Sequence, residues 1–199
     1  MAVPPYIVPR LSRPDWSVPE VLTLVHTGWV PPCPIAAQAQ LCHDGADLYV
    51  RMEAQEQPIR ATMSGVLDHV CDDSCLEFFY APVPGDPRYF NFEFNPLGAM
   101  DMSFGGPRPG RVRQVPKKAA EWFQARPFLT EGGWGLEFRV PLAFLRLYWP
   151  EFSFTGEGAA NFYKCGDMTH APHFLAWSPL SCDTPDFHRR QDFGTIVFA

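Results

Sequence analysis

The chain has 199 residues, of which 22 are Pro and 46% are hydrophobic, and its formal net charge is −6. A Pro inside a helix costs roughly 3 kcal/mol, so this content argues against a helical bundle, and the hydrophobic share argues against disorder. With only three Lys and no apolar run of ~18 residues, the sequence predicts neither a nucleic-acid partner nor membrane association.

Location and thiol chemistry follow from the N-terminus and the cysteine count. Residues 1–16 contain four Pro and no apolar secretory core. This predicts a cytoplasmic protein if Met1 is the native start, and a secreted one if the sequence has been trimmed. The six Cys are too sparse for a disulfide scaffold, so we predict buried, reduced thiols.

Alternation of apolar and polar residues predicts β-strands along most of the chain. Residues 47–55 alternate with period two, and residues 76–80 form a short apolar strand that carries Glu77. The turn at 82–87 joins that strand to residues 89–95 in a predicted hairpin. Residues 89–95 place three Phe on one face and four polar side chains on the other, namely Tyr89, Asn91, Glu93 and Asn95.

The second half of the chain continues this pattern. Strands are predicted at residues 100–104, 134–140, 160–165, 174–177 and 194–198, and Pro141 opens a short helix over 142–147. Nine to eleven short strands with Pro and Gly turns predict an all-β fold, an antiparallel β-sandwich or jelly roll with one short helix. No linker divides the chain, so residues 1–199 are predicted to form a single domain.

Carboxylates are the first candidates for chemistry. Asp72 and Asp73 precede the strand that carries Glu77, and oxygen ligands of this kind could hold calcium, although a solvated turn has the same composition. Glu77 and Glu93 would lie on one face if their strands pair. Two carboxylates ~5–9 Å apart can hydrolyse glycosides, and they can equally accept hydrogen bonds from sugar hydroxyls.

The region 161–188 is dense in polar and aromatic residues. A soft-metal site could be built there from Cys165, His170, His173 and His188, or earlier in the chain from His69, Cys71 and Cys75, but neither set has a usual zinc spacing. Trp177 has two interpretations, a core anchor or a binding surface.

The order of motifs resembles carbohydrate-binding module family 9 and its stand-alone relatives. The motifs are Leu48-Tyr49-Val50, the segment 72–79 (DDSCLEFF), the segment 89–95 (YFNFEFN) with Gly98, the segment 134–141, the segment 161–167 (NFYKCGD), Trp177-Ser178-Pro179 and the terminal segment 193–198 (FGTIVF). The resemblance runs from about Leu41 to the C-terminus. It implies a β-sandwich that holds a glycan end between aromatic rings, without catalysis of its own, often beside glycoside hydrolases and with structural calcium.

The resemblance also implies site residues. The mono- or oligosaccharide ligand would contact these positions: Glu77, Asn91, Glu93, Asn95, Asn161, Tyr163, Trp177 and Phe187. Phe187 matches one clamp aromatic of the family. The other should precede the Asp-Asp-Ser element, yet Val70 and Cys71 stand there, so another ring such as Trp122 would have to supply the second face.

The sequence thus predicts a non-catalytic carbohydrate-binding domain that acts in glycan recognition or catabolism. Two alternatives stay open at this point. One is glycoside hydrolysis by Glu77 and Glu93. The other is a haem-binding electron-transfer domain, because related β-sandwiches hold haem through Met and His, which here could be Met100, Met102, Met168 and His170.

Overall fold

The computed structural model describes residues 3–199, and in this range the chain forms two β-sheets packed as a sandwich. The larger sheet has nine strands: β1 (Tyr6–Val8), β3 (His26–Thr27), β6 (Cys75–Ala81), β7 (Tyr89–Phe94), β8 (Met100–Gly105), β9 (Val112–Arg113), β12 (Gly156–Cys165), β13 (Phe174–Ala176) and β14 (Gly194–Phe198). The smaller sheet has five: β2 (Leu22–Thr23), β4 (Ala36–His43), β5 (Asp47–Gln55), β10 (Arg126–Thr130) and β11 (Gly133–Pro141).

Strand order places β6 at the centre of the larger sheet and β5 at the centre of the smaller one. The larger sheet runs β1-β14-β12-β6-β7-β8-β9, with β13 paired to the end of β12 and β3 paired to β13. The smaller sheet runs β10-β11-β5-β4-β2. Pairs are antiparallel, except that β1 lies parallel to β14. The all-β sandwich predicted from the sequence is therefore confirmed.

Helices are few and short in residues 3–199. They are α1 (Ala119–Phe123), α2 (Leu142–Leu145) and two 3₁₀ turns, Val70–Asp72 and Arg190–Asp192. The predicted helix after Pro141 is confirmed as α2, although it ends two residues early, and α1 was not predicted. No helix between residues 3 and 199 is long and apolar enough to cross a membrane.

The predicted hairpin of β6 and β7 is confirmed. Phe78 pairs with Phe92, and Glu77 pairs with Glu93. The next turn depends on Gly98, whose φ of +78° suits a residue without a side chain. Alternation then sends Phe78 and Phe92 inward, where they meet Phe138 of the smaller sheet at ring-centroid distances of 6.2 and 6.0 Å.

The outer face of β7 differs from the sequence prediction of a half-exposed strand. All six residues of β7 are buried. The Arg111 guanidinium lies 3.8 Å from the centroid of the Tyr89 ring, and the segment containing His188 and Phe193 covers Tyr89 and Phe79. The polar face of the hairpin is therefore an enclosed surface rather than a solvated one, which is the setting of a binding site.

Candidate functional site

A cleft of about 130 Å³ lies on the outer face of the nine-stranded sheet. Its floor comes from β6, β7 and β12, because alternation turns every second side chain of these strands away from the core. Its walls come from the turn Val70–Asp72, strand β13 and four loops, which carry Trp29, Arg108, Asp167 and the segment 185–188. The residues around it are Trp29, Cys71, Glu77, Phe79, Glu93, Arg108, Cys165, Asp167, Phe174, Pro185, Asp186, Phe187 and His188.

Two buried carboxylates form the floor of this cleft. Glu77 and Glu93 are cross-strand neighbours, and they are only 3% and 8% exposed. Cys165 Sγ donates a hydrogen bond to Glu77 Oε1 (2.9 Å), and Asn91 Nδ2 donates one to Glu93 Oε1 (2.8 Å). The floor thus offers carboxylate oxygens held in place by their neighbours.

Burial also changes how these carboxylates titrate. Desolvation raises the pKa of Glu77 to about 7. Desolvation, with the charge of Glu77 next to it, raises the pKa of Glu93 well above its usual value. Because neighbouring like charges resist joint ionisation, burial of this pair favours holding one proton between the two carboxyl groups, and a protonated member can donate a hydrogen bond as well as accept one.

Aromatic rings form one wall. Phe187 stacks on Tyr163 with a centroid distance of 4.1 Å and an interplanar angle of 9°. Trp29 lies 5.6 Å from Phe187 and 5.4 Å from Phe174, and its Nε1 donates to the carbonyl oxygen of Cys182 (2.9 Å). The Trp29 backbone has a φ of +61°, an uncommon conformation for a bulky residue, so several contacts hold this indole in position.

The structure brings three of the eight predicted ligand residues together in the cleft: Glu77, Glu93 and Phe187. Asn91 lies behind them. Its Oδ1 accepts hydrogen bonds from Arg111 Nη2 (2.6 Å) and from the Ser103 hydroxyl, while its Nδ2 holds Glu93. Asn91 therefore positions Glu93.

Asn95 and Asn161 lie outside the cleft lining, and their side-chain amides are bound by protein groups. Asn95 Nδ2 donates to the Met63 carbonyl (2.7 Å) and to Asp73 Oδ2 (2.9 Å), and its Oδ1 accepts two backbone N–H groups of the following turn. Asn161 is bound through both amide atoms to the backbone of Ser178. Amides saturated in this way have little capacity left for a ligand.

Tyr163 and Trp177 also lie away from the cleft. Tyr163 is completely buried under Phe187, to whose carbonyl oxygen its hydroxyl donates (3.1 Å). Trp177 belongs to the core between the sheets, where it meets Tyr6 and Phe162 edge-on at 6.5 and 5.9 Å. Of the two interpretations of Trp177, the core anchor is correct.

The carboxylate of Asp73, one of the two predicted calcium ligands, is bound by protein donors. This carboxylate is fully buried, and it accepts hydrogen bonds from Thr62 N, Thr62 Oγ1, Met63 N and Asn95 Nδ2 at 2.7–2.9 Å. Burial alone would raise the pKa of Asp73, but these donors lower it below its usual value. Protein donors occupy both oxygens, so a calcium role stays a prediction for Asp72 alone.

The four residues proposed from the sequence as haem ligands lie apart from one another in the fold. Met102 is completely buried in the core, and Met100 packs against the same core. Met168 and His170 are exposed on the loop that follows β12. Only Met168 and His170 are exposed, and no cleft of the described residues brings the four together, so the structure gives the haem alternative no support.

The two soft-metal sets predicted from the sequence do not assemble either. His173 is buried with Lys164 and Glu56, His188 covers Phe79, and His170 is exposed. In residues 3–199, the groups whose ligand atoms lie within 4.8 Å of one another are Cys75–Glu77–Cys165 and Cys71–Asp72–Asp167. Neither contains a His.

Trp29 is the ring that the sequence analysis missed. Val70 is buried and Cys71 lines the cleft, so no ring stands before the Asp-Asp-Ser element, as expected. Trp122 does not compensate, because it packs at the edge of the core beside Phe144. Trp29 lies before the first motif of the resemblance, and its Gly-Trp-Val context carries no signal of its own.

His188 should make the protein sensitive to acid. Desolvation, with the charges of Arg108 and Arg111, lowers the pKa of His188 to about 3 from the usual 6.5. Between those values only the unfolded chain binds the proton, so stability falls as the pH falls. Between pH 7 and pH 5 the free energy of unfolding should drop in the wild type. In His188→Gln the drop should be smaller by about 1–2 kcal/mol, because the proton-binding group is gone.

Urea denaturation at the two pH values measures this difference, and His170→Gln is the exposed control. If His188→Gln and His170→Gln lose the same free energy between pH 7 and pH 5, His188 is not held neutral in the fold.

Comparisons with known proteins agree with this architecture. The family model of carbohydrate-binding family 9 matches residues 24–198. None of the curated protein sequences matches this chain. A crystal structure of a Bacteroides uniformis protein, provisionally described as carbohydrate-binding, is similar at 27% identity and a TM-score of 0.81, covering 98% of this chain and 99% of that one.

Two further structures share the fold. A family 9 carbohydrate-binding module from Caldicellulosiruptor kristjanssonii in complex with cellotriose has 13% identity and a TM-score of 0.69, over 98% of this chain and 93% of that one. A module of the same family and organism in complex with glucose has 14% identity and a TM-score of 0.67, over 97% and 94%. The two-sheet architecture and the family match over residues 24–198 together show that this chain belongs to carbohydrate-binding family 9.

Proposed function

We propose that this domain binds glucose, or the terminal glucose unit of a short glucan, in the cleft on the nine-stranded sheet. The observation that carries the proposal is the meeting of Trp29 and Phe187 with the paired carboxylates of Glu77 and Glu93 in one cleft. Structures that share its fold contain glucose and cellotriose, which supports the choice of ligand.

The chemistry of the cleft suits a pyranose ring. A sugar has C–H faces that pack on aromatic rings and hydroxyls that need hydrogen-bond partners. Trp29 and Phe187 offer aromatic surface. Hydrogen bonds between a hydroxyl and a buried carboxylate are stronger than neutral ones, so Glu77 and Glu93 would supply both affinity and orientation.

The size of the cleft limits the ligand to about one ring. Its volume of about 130 Å³ is well below the ~300–1,000 Å³ of pockets that enclose drug-sized molecules. Any further sugar units would extend into solvent. Glucose and cellotriose should therefore bind with affinities that differ by only a few-fold.

Trp29→Ala tests the proposal most directly. Buried aromatic anchors of binding sites contribute about 2 kcal/mol or more, so this variant should bind glucose at least ~30-fold more weakly in isothermal titration calorimetry. Trp16→Ala is the matched control, because Trp16 borders a separate hollow with Tyr49 on the five-stranded sheet and should leave the affinity unchanged.

Two results would refute the proposal. One is a wild-type protein that binds neither glucose nor cellotriose at millimolar concentration. The other is a folded Trp29→Ala variant with wild-type affinity. Association with glycoside hydrolases and a structural calcium ion remain predictions from the family resemblance.

A further inference from the structure

Two thiols and a carboxylate converge beneath the cleft. Cys75 and Cys165 are direct cross-strand partners on β6 and β12. Glu77 follows Cys75 by two residues, so it lies on the same face of β6. Their Sγ and carboxylate oxygen atoms all lie within 4.8 Å of one another, and all three residues are buried.

In the described part of the chain, no Lys or Arg forms a salt bridge with Glu77, the carboxylate of this cluster. Arg108 at the cleft rim has a side chain that is 60% exposed, and it pairs with Asp186. Lys164 precedes Cys165 in β12, but its ammonium group is bound to Glu56 Oε2 (3.0 Å) and His173 Nε2 (2.7 Å) on the opposite face. The cluster is thus a set of buried ligand atoms whose carboxylate has no ion-pair partner, so a bound cation would balance its charge.

We propose that Cys75, Cys165 and Glu77 bind a thiophilic divalent cation of the zinc class, with a fourth coordination position open to the cleft. Zinc takes sulfur at ~2.3 Å and carboxylate oxygen at ~2.0–2.2 Å in a tetrahedron, which spaces the ligand atoms roughly 3.5–4 Å apart. This spacing lies within the 4.8 Å limit of the cluster. Calcium and magnesium prefer six or more oxygen ligands, which this site lacks.

The open position follows from where the ligands lie. Glu77 and Cys165 both border the cleft, so an ion can reach them from solvent. Binding breaks the S–H bonds of both thiols, and the two protons pass to the buffer. The hydrogen bond that Cys165 Sγ now donates to Glu77 Oε1 is replaced by two bonds to one ion.

Cobalt(II) tests the site spectroscopically in the intact, reduced protein. We expect one equivalent of Co²⁺ to produce the near-ultraviolet absorption of thiolate-to-cobalt charge transfer, and one equivalent of Zn²⁺ to remove it. Cys75→Ser and Cys165→Ser should each lose most of this absorption. Cys42→Ser is the matched control, since Cys42 is equally buried but lies on β4 of the other sheet, and it should keep the absorption.

Two further measurements cover the case in which a serine variant does not fold. Wild-type protein in weak buffer should release at least two protons for each Zn²⁺ bound. Glu77→Gln keeps both thiols, so it should retain the charge-transfer absorption but bind cobalt more weakly, by at least the ~10–100-fold that loss of an outer hydrogen-bond partner costs.

Three results would overturn the proposal: no charge-transfer absorption with stoichiometric cobalt, equal loss in Cys42→Ser, or full absorption in folded serine variants. The glucose titration is performed with a chelator present. Failure of the metal site is therefore distinguishable from failure of sugar binding.

Discussion

Replacing Asp73 with alanine should lower the free energy of unfolding by about 4 kcal/mol. The carboxylate is fully buried and accepts from the backbone N–H groups of Thr62 and Met63 and from the Asn95 amide, with Arg60 Nε 3.3 Å away. Without it, the buried Asn95 amide and three partly buried donors of Thr62 and Met63 lose their acceptor, and loss of an acceptor for a buried donor costs about 1–3 kcal/mol. Urea denaturation at pH 7 measures the difference.

Asp72→Ala is the control for this variant. Asp72 is the preceding residue, but it is partly exposed, so its loss should cost less than about 1 kcal/mol. Equal destabilisation by Asp72→Ala and Asp73→Ala, removed in both cases by a chelator, would instead indicate a shared metal ion. A small effect of Asp73→Ala would mean that water satisfies the donors.

Loss of the negative charge of Glu56 should have a comparable effect. Lys164 is completely buried, and its ammonium group donates to Glu56 Oε2, His173 Nε2 and the Cys165 carbonyl. Trp134 Nε1 donates to the same Glu56 oxygen (3.2 Å). Glu56→Gln retains an acceptor for Trp134 but leaves the ammonium charge unpaired, so we expect a loss of about 3–5 kcal/mol in urea denaturation.

A second substitution separates the charge effect from the packing effect. In Glu56→Gln/Lys164→Met no buried charge remains, so this double variant should recover most of the lost stability. Glu53→Gln is the matched single control, because Glu53 forms a partly exposed pair with Arg51 that should contribute less than about 1 kcal/mol. If the double variant is as unstable as Glu56→Gln, packing rather than charge causes the loss.

Both clusters bear on the cleft although neither lies in it. Asp73 ties the segment at Thr62 to the end of β7, next to the turn that carries Cys71 into the cleft wall. Lys164 fixes the end of β12, whose next residue, Cys165, belongs to the cleft floor. The hydrogen bonds of Asp73 and the ion pair of Lys164 therefore help to keep the floor and one wall of the cleft in position.

Local alternation made the central strands predictable. Residues 47–55 and 89–94 form β5 and β7 as expected, because period-two patterning depends only on neighbours in the chain. The short turn at 82–87 then left little freedom in the pairing of β6 with β7. The meeting of Glu77 and Glu93 followed from that register and is the part of the site that local sequence revealed.

Elements whose own residues have weak secondary-structure preference were missed. Strand β4 contains Ala and Gln, which have low strand propensity, and pairs along its length with β5. Strand β10 contains Pro127, which is tolerated because β10 is an edge strand. Helix α1 is only five residues long and is buried through Phe123. In each case strand pairing or packing against the core outweighed weak local preference.

By itself, the sequence determined the sandwich, the family and the two carboxylates, because strand patterning and motif order are local or linear properties. Only the tertiary structure decided which neighbours complete the cleft. Trp29 reaches Phe187 across 158 positions of sequence, and Cys75 meets Cys165 across 90. Chain folding also buried Tyr163 beneath Phe187. Such contacts depend on how separate segments cover the sheet. The residues of one segment do not indicate which distant segment it will contact.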